Sequence, residues 1–154
     1  IEVDASSALR RPYPSLALRR HLIPIVMCNQ GSIMEFQTIP ILRIFDEGKA
    51  KEFYLEFLGM NLDWEHRFEA NFPIYMQVSK GNLVFHLSEH SGDCTPGSKV
   101  FVNVSDIETL YHEVTSRPYK YSKPKIEQAP WGDRCFTVTD PFSNKLLFNE
   151  PANT

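Results

Sequence analysis

The chain repeats one plan twice. From residue 38, the apolar run IPILRIF (39–45) leads to Asp46, a good helix N-cap. The following helix carries Ala50, Phe53, Tyr54, Phe57 and Leu58 on one face, and Gly59 stops it. Strand patterns come next at 61–67, 74–79 and 83–88, the last two separated by the hairpin signal Lys80-Gly81-Asn82. After the loop SGDCTPGS (91–98) the order recurs: a strand VFVNV (100–104), a helix, and strands near 119–122, 134–139 and 145–149. The second helix is expected to start with a capping box, Ser105 to Glu108, and to bury Ile107, Leu110, Tyr111 and Val114. Asp46 and Asp106 lie sixty residues apart, and Glu89 and Glu150 sixty-one. Each half therefore reads β-α-β-β-β, and one such unit cannot bury both faces of its sheet. The expected class is α+β: two βαβββ modules (38–90 and 99–151) forming a curved mixed sheet around a cleft.

Charge and cysteine usage narrow the function classes. Residues 1–33 carry Arg10, Arg11, Arg19 and Arg20 against Glu2 and Asp4, a net of +2. From Met34 onward twelve Lys and Arg face seventeen Asp and Glu, a net of −5. An acidic body argues against nucleic acid and suits a cationic small molecule. Cys28, Cys94 and Cys135 share no CxxC spacing, so neither a disulfide framework nor a zinc knuckle is expected, and a reducing cytoplasm is the simplest home. No apolar run approaches the roughly 20 residues that span a bilayer. Residues 1–33 read as a leader outside the domain, such as translated upstream sequence, with Met34 a natural start and residues 34–154 the domain.

Two stretches carry a resemblance. IPILRIFDEGKAKEFYLEFLGM (39–60) and EQAPWGDRCFTVTDPFSNKLLF (127–148), set in the order βαβββ-βαβββ, resemble the vicinal oxygen chelate superfamily, which holds glyoxalase I, extradiol dioxygenases and bleomycin-resistance proteins. The nearer likeness is to the bleomycin-resistance group, whose closing stretch runs QPWGxRxFxxxDPxGN. This chain inserts Ala129 into that pattern and has Ser143 where the glycine usually stands, leaving Asn144 as the residue able to take positive φ.

The resemblance implies site residues. The superfamily's metal positions fall at Ile39, His86, Lys99–Val100 and Leu147, where only His86 can ligate; no metal and no cofactor is expected. A second cluster in sequence, His86, Glu89, His90 and Asp93, reads as a solvated loop. No GxSxG, P-loop or Cys–His pairing offers another catalytic template. In the bleomycin-resistance pattern the ligand-facing positions match Trp64, Phe101 and Trp131, with Ser88 on the polar wall and Phe72 or Phe68 from the 68–73 loop. His86 and Arg134 complete the candidate ligand set, although Arg134 suits a carboxylate partner better than chemistry, and Trp131 and Phe101 equally suit a packed core. Glu65, Glu69 and Asp133 would steer a cation inward.

The implied function is sequestration, without turnover, of a cationic aromatic small molecule of the bleomycin type in a cleft completed by a homodimer. Two alternatives stand beside it: a metal-dependent lyase, isomerase or dioxygenase of the same superfamily, and a binding module with a different natural ligand.

Overall fold

A computed structural model describes residues 34–152, and the fold lies within one compact unit, Phe36–Thr154. The leader expected at residues 1–33 lies outside the described residues. Among the described residues, eight strands form two four-stranded mixed sheets, each with one parallel pair, as the duplicated plan requires. Sheet 1 contains β1 (Ile41–Arg43), β2 (Asn61–His66), β3 (Tyr75–Lys80) and β4 (Leu83–Ser88), in the order β1-β4-β3-β2. Sheet 2 contains β5 (Lys99–Asn103), β6 (Glu127–Gln128), β7 (Arg134–Thr139) and β8 (Lys145–Glu150), in the order β5-β8-β7-β6. The two orders are the same order. The repeat is a structural one.

Helix α1 (Glu47–Lys51) starts at Asp46, whose carboxylate accepts the Lys49 N–H at 2.8 Å. It runs on as a π-helical stretch (Glu52–Phe57), with the Leu58 N–H reaching Phe53 O at 2.9 Å. The anticipated face is the buried one: Ala50, Phe53, Tyr54, Phe57 and Leu58 are all at most 3% exposed. Gly59 ends the helix at φ 67°, and a β-carbon there would sit 2.6 Å from the Arg117 guanidinium. Helix α2 (Ile107–Thr115) is capped by Asp106, not by the expected Ser105: Asp106 Oδ1 accepts Thr109 N–H at 2.9 Å and Oδ2 accepts the Thr109 hydroxyl at 2.7 Å. The sixty-residue offset from Asp46 to Asp106 is thus the distance between two equivalent caps.

The strand expected near 119–122 is absent. Pro118 and Pro124 bracket that segment and remove ladder donors. Tyr119 instead stacks on Phe57, centroids 4.6 Å apart, and meets Phe53 edge-on. The pairing role falls to Glu127–Gln128, which bond β7 as Glu127↔Cys135 and Gln128↔Arg134.

Helix-facing residues of both modules share one core, from Leu42, Phe53, Met76, Val78 and Phe85 to Ile107, Phe136, Val138 and Phe148. A buried polar clamp crosses it. Tyr54 donates its hydroxyl to Asp140 Oδ2 at 2.8 Å, and Asp140 also accepts from the N–H groups of Phe142 and Asn144. The Asn144 amide donates to Asp140 Oδ2 and to Arg43 O, both at 2.8 Å. Burial pushes the Asp140 carboxyl above its ordinary range, against the hydrogen bonds that favour its charge. In this turn Ser143, not Asn144, takes positive φ (72°). Asn144 is held elsewhere because its side chain is fully buried and spent on the clamp.

The two neighbours should therefore respond oppositely to substitution. Ser143→Gly relieves a left-handed β-carbon and should stabilise by about 0.5–1 kcal/mol. Asn144→Ala strands buried donors and acceptors and should destabilise by about 1–3 kcal/mol. Urea unfolding of both variants checks the pair, and equal signs would refute this account of the turn.

Candidate functional site

Helices cover only one face of each sheet. Side chains alternate across a strand, so the same pleat that buries Met76, Val78, Phe85 and Leu87 turns Tyr75, Gln77, Ser79, Val84 and His86 to the opposite, open face, with Ser88 on that side but buried. In sheet 2, Phe136 and Val138 point to the core while Cys135, Thr137 and Thr139 share the open face with Phe101 and Leu147. The two modules correspond there: Ile41 pairs with His86 in sheet 1, and Phe101 with Leu147 in sheet 2.

On sheet 1 the open face carries a continuous aromatic and polar cluster. Trp64 stacks on Tyr75 (centroids 5.9 Å, interplanar angle 13°) and meets the His86 ring edge-on at 5.4 Å. The His86 ring lies 2.8 Å from the Tyr75 hydroxyl through Nδ1 and 3.0 Å from Gln77 Oε1 through Nε2. Since Gln77 Oε1 only accepts, Nε2 bears the proton and Nδ1 accepts from Tyr75. Gln77 Nε2 then donates to Asp63 Oδ2 at 2.8 Å, and the Ser79 hydroxyl to Asp63 Oδ1 at 2.7 Å. Asp63 reaches this face through a β-bulge: the register of β2 against β3 shifts between Leu62 and Trp64. Two consecutive residues, Asp63 and Trp64, thereby serve one face. Burial lowers the His86 pKa below its usual 6.5.

On sheet 2 the cluster is more exposed. Phe101 is 52% and Trp131 57% exposed, with rings 6.3 Å apart. Trp131 caps the loop between β6 and β7, where Gly132 takes φ 99°. Its indole N–H lies 3.1 Å from Asp133 Oδ2 and 3.3 Å from Asn149 Oδ1. Asp133 also accepts from Ala152 N–H and Asn149 Nδ2, and these hydrogen bonds, Ala152 first, hold its carboxyl below the ordinary range. Neither ring fills the core.

The remaining candidates are placed differently. Ser88 is fully buried, donating to Asp93 at 2.6 Å and accepting the His90 N–H. Arg134 is paired with Glu108 (2.7 Å) and Glu150, beside a cavity of ≈ 640 Å³. Phe68 joins His66 at 5.2 Å, whereas Phe72 lines a separate depression with Arg43 and Phe45. Glu65 is taken by Lys51 at 2.7 Å. Tyr75, Gln77, Ser79 and Asp63 are the site residues that motif matching missed. The first three were within reach: a two-residue loop at Gly81–Asn82 sets Gln77 opposite His86.

A metal does not fit. The positions Ile39, His86, Lys99–Val100 and Leu147 supply a single imidazole as a good donor, and both nitrogens of that ring are engaged by Tyr75 and Gln77. Among the described residues, no three His, Cys, Asp or Glu side chains converge in a manner that could hold an ion. Nor is any described helix long and apolar enough to cross a membrane.

The profile of the family described as "Glyoxalase superfamily protein" matches residues 26–154. No curated protein matches the chain. Among solved structures, similar folds include a bleomycin-binding protein complexed with bleomycin (21% identity, TM-score 0.58, covering 77% of this chain and 100% of that one). The bleomycin-binding protein from bleomycin-producing Streptomyces verticillus, complexed with copper(II)-bleomycin, is 22% identical, with TM-score 0.59 over 78% of this chain and 99% of that one. TnmS3, an antibiotic binding protein from Streptomyces sp. CB03234, is 19% identical, with TM-score 0.57 over 78% of this chain and 100% of that one.

The depressed His86 pKa fixes a direction for stability. Between 6.5 and the folded value the unfolded chain binds the proton that the folded chain refuses, so His86's contribution is whole above about pH 6.5 and declines below it. An imidazole NMR titration should place the His86 midpoint below 6.5, and His86→Gln should remove that part of the decline. A midpoint at or above 6.5 would contradict the burial argument.

Proposed function

Since this chain belongs to the glyoxalase superfamily, we propose that it binds a flat, cationic aromatic molecule of the bleomycin type and sequesters it unchanged. The observation that carries this reading is the pair of open sheet faces, each presenting tryptophan beside a carboxylate. Trp64 stands next to Asp63 on sheet 1, and Trp131 donates to Asp133 on sheet 2. Stacking contributes about 0.5–1.5 kcal/mol per aromatic pair beyond area burial. A cation over an indole adds about 0.5–2 kcal/mol, more as water is excluded.

In this reading two copies cover one another's open faces, and the ligand lies between them. The exposure of Phe101 and Trp131 supports the arrangement, because a contiguous aromatic surface facing water is a typical binding surface. Sequestration rather than turnover is favoured by the residues themselves. No nucleophile–base pair accompanies the cluster, and His86 holds its proton in a satisfied network rather than aiming it outward.

Titration with metal-free bleomycin A2, followed by tryptophan fluorescence, tests the proposal. Quenching should saturate at or below tens of micromolar, and Trp64→Ala and Trp131→Ala should each weaken binding about tenfold, roughly 1.4 kcal/mol. Mass spectrometry should recover the ligand unaltered, and light scattering should give twice the chain mass. Absent quenching, a chemically changed ligand or a monomer would each overturn part of the reading: binding, sequestration and the shared cleft respectively.

A further inference from the structure

A different residue raises a question that the open faces do not answer. Arg43, on β1, is only 9% exposed, yet its Nη1 is buried with no hydrogen-bond partner among the described residues. A buried guanidinium without a counter-charge is strongly unfavourable unless something pairs with it. The nearby carboxylates are spent. Glu47 is held by Lys51 and Arg67. Glu89 accepts the Ile74 N–H at 2.9 Å and lies 3.8 Å from Arg67. Asp93 takes the Ser88 hydroxyl, and Asp140 is enclosed by Tyr54 and Asn144. Arg67 itself is committed to Glu47, Glu89 and the Phe72 carbonyl. Among the described residues Arg43 has no carboxylate partner in this corner, and its charge meets the Phe45 ring instead.

The guanidinium carbon sits 4.8 Å from the centre of the Phe45 ring, and both residues line an open depression of ≈ 370 Å³. Phe72, Pro73 and Asn71 complete its lining with Arg67 and Glu89, which face one another at 3.8 Å. Phe45 is 57% and Phe72 46% exposed, so two phenyl rings and a guanidinium line the same depression. We propose that this depression is a second ligand site, for a small organic carboxylate with a flat apolar body. The carboxylate would meet Arg43 at the floor, where low dielectric strengthens a charge-assisted bond, and the body would lie between Phe45 and Phe72. A guanidinium suits a carboxylate's two oxygens better than an ammonium would. An inorganic anion would use the charge and leave the rings idle, so the rings argue for an organic one. The site takes the opposite charge to the aromatic cluster and lies farther along the same face of sheet 1, where Arg43 pairs with Ser88 as Ile41 does with His86.

Calorimetric titration of the full chain with benzoate tests this, with inorganic phosphate and benzylamine as comparators and the Arg43 Nε–H resonance as a local probe. Benzoate should bind one per chain and shift that resonance, at least about tenfold tighter than phosphate, while benzylamine leaves it unmoved. Phe72→Ala should weaken benzoate about fivefold or more, and Arg43→Met should abolish binding. If Arg43→Met fails to fold, Arg43→Lys decides, since it keeps the charge but loses the fork and should lose about tenfold. Trp64→Ala and Trp131→Ala should bind benzoate as the parent does. Equal affinity for phosphate and benzoate, full binding by Arg43→Lys, or loss on substituting either tryptophan would overturn the assignment.

Discussion

The buried contact between Tyr54 and the Asp140–Asn144 turn decides how the two modules meet. Tyr54 belongs to the first module's helix and Asp140 to the second module's last turn, and Asn144 closes the circuit on the Arg43 carbonyl of β1. All three side chains are at most 4% exposed, so each polar atom must find its partner inside the protein. That requirement is directional in a way that apolar packing is not. It sets the second module's turn against the first module's helix and leaves both sheets with one face turned away from the helices.

What those free faces present follows from register. The pairs Ile41↔His86 and Phe101↔Leu147 occupy equivalent places in the two modules, sixty residues apart on one strand and sixty-one on the other. Three of the four are hydrocarbon or phenyl. Two of the places where a site of this plan would need donors, His86 and Leu147, lie in these pairs, and only His86 can ligate. The remaining imidazole is drawn into a hydrogen-bonded row running from Tyr75 through His86 and Gln77 to Asp63. Because every member is satisfied, the row stiffens the plate on which Trp64 stacks.

Much of this was legible before any coordinates. Helix faces, the Asp46 cap and the hairpin at Gly81 depend on neighbours within a few positions, and local chemistry dictates them. The capping-box pattern, by contrast, puts the second cap one residue early, at Ser105 instead of Asp106. The misses are tertiary. No local rule places Asp63 beside Trp64, because the bulge that does so serves the partner strand. Pattern alone read Tyr119 as strand, whereas two rings of the first helix claim it. Positive φ fell to Ser143 because Asn144 was needed in the clamp, a demand originating in another module. Phe101 and Trp131 were balanced between core and surface on sequence, since hydrophobicity does not say which face of a sheet is covered.

The net charge of the body misleads until its carboxylates are followed to their partners. Glu47, Glu65, Glu113, Glu108 and Glu150 are all in ion pairs with Lys or Arg, so their fields are largely cancelled locally. Asp63 and Asp133 differ. Each accepts only from neutral donors, an amide and a hydroxyl in one case, and an indole, an amide and a backbone N–H in the other. For Asp133 that hydrogen bonding favours the ionised carboxylate without neutralising it. Each of these two carboxylates stands beside a tryptophan, with no ion-pair partner among the described residues. Those two places are where the acid of the chain bears on recognition, while Glu47, Glu65, Glu108, Glu113 and Glu150 serve structural pairing.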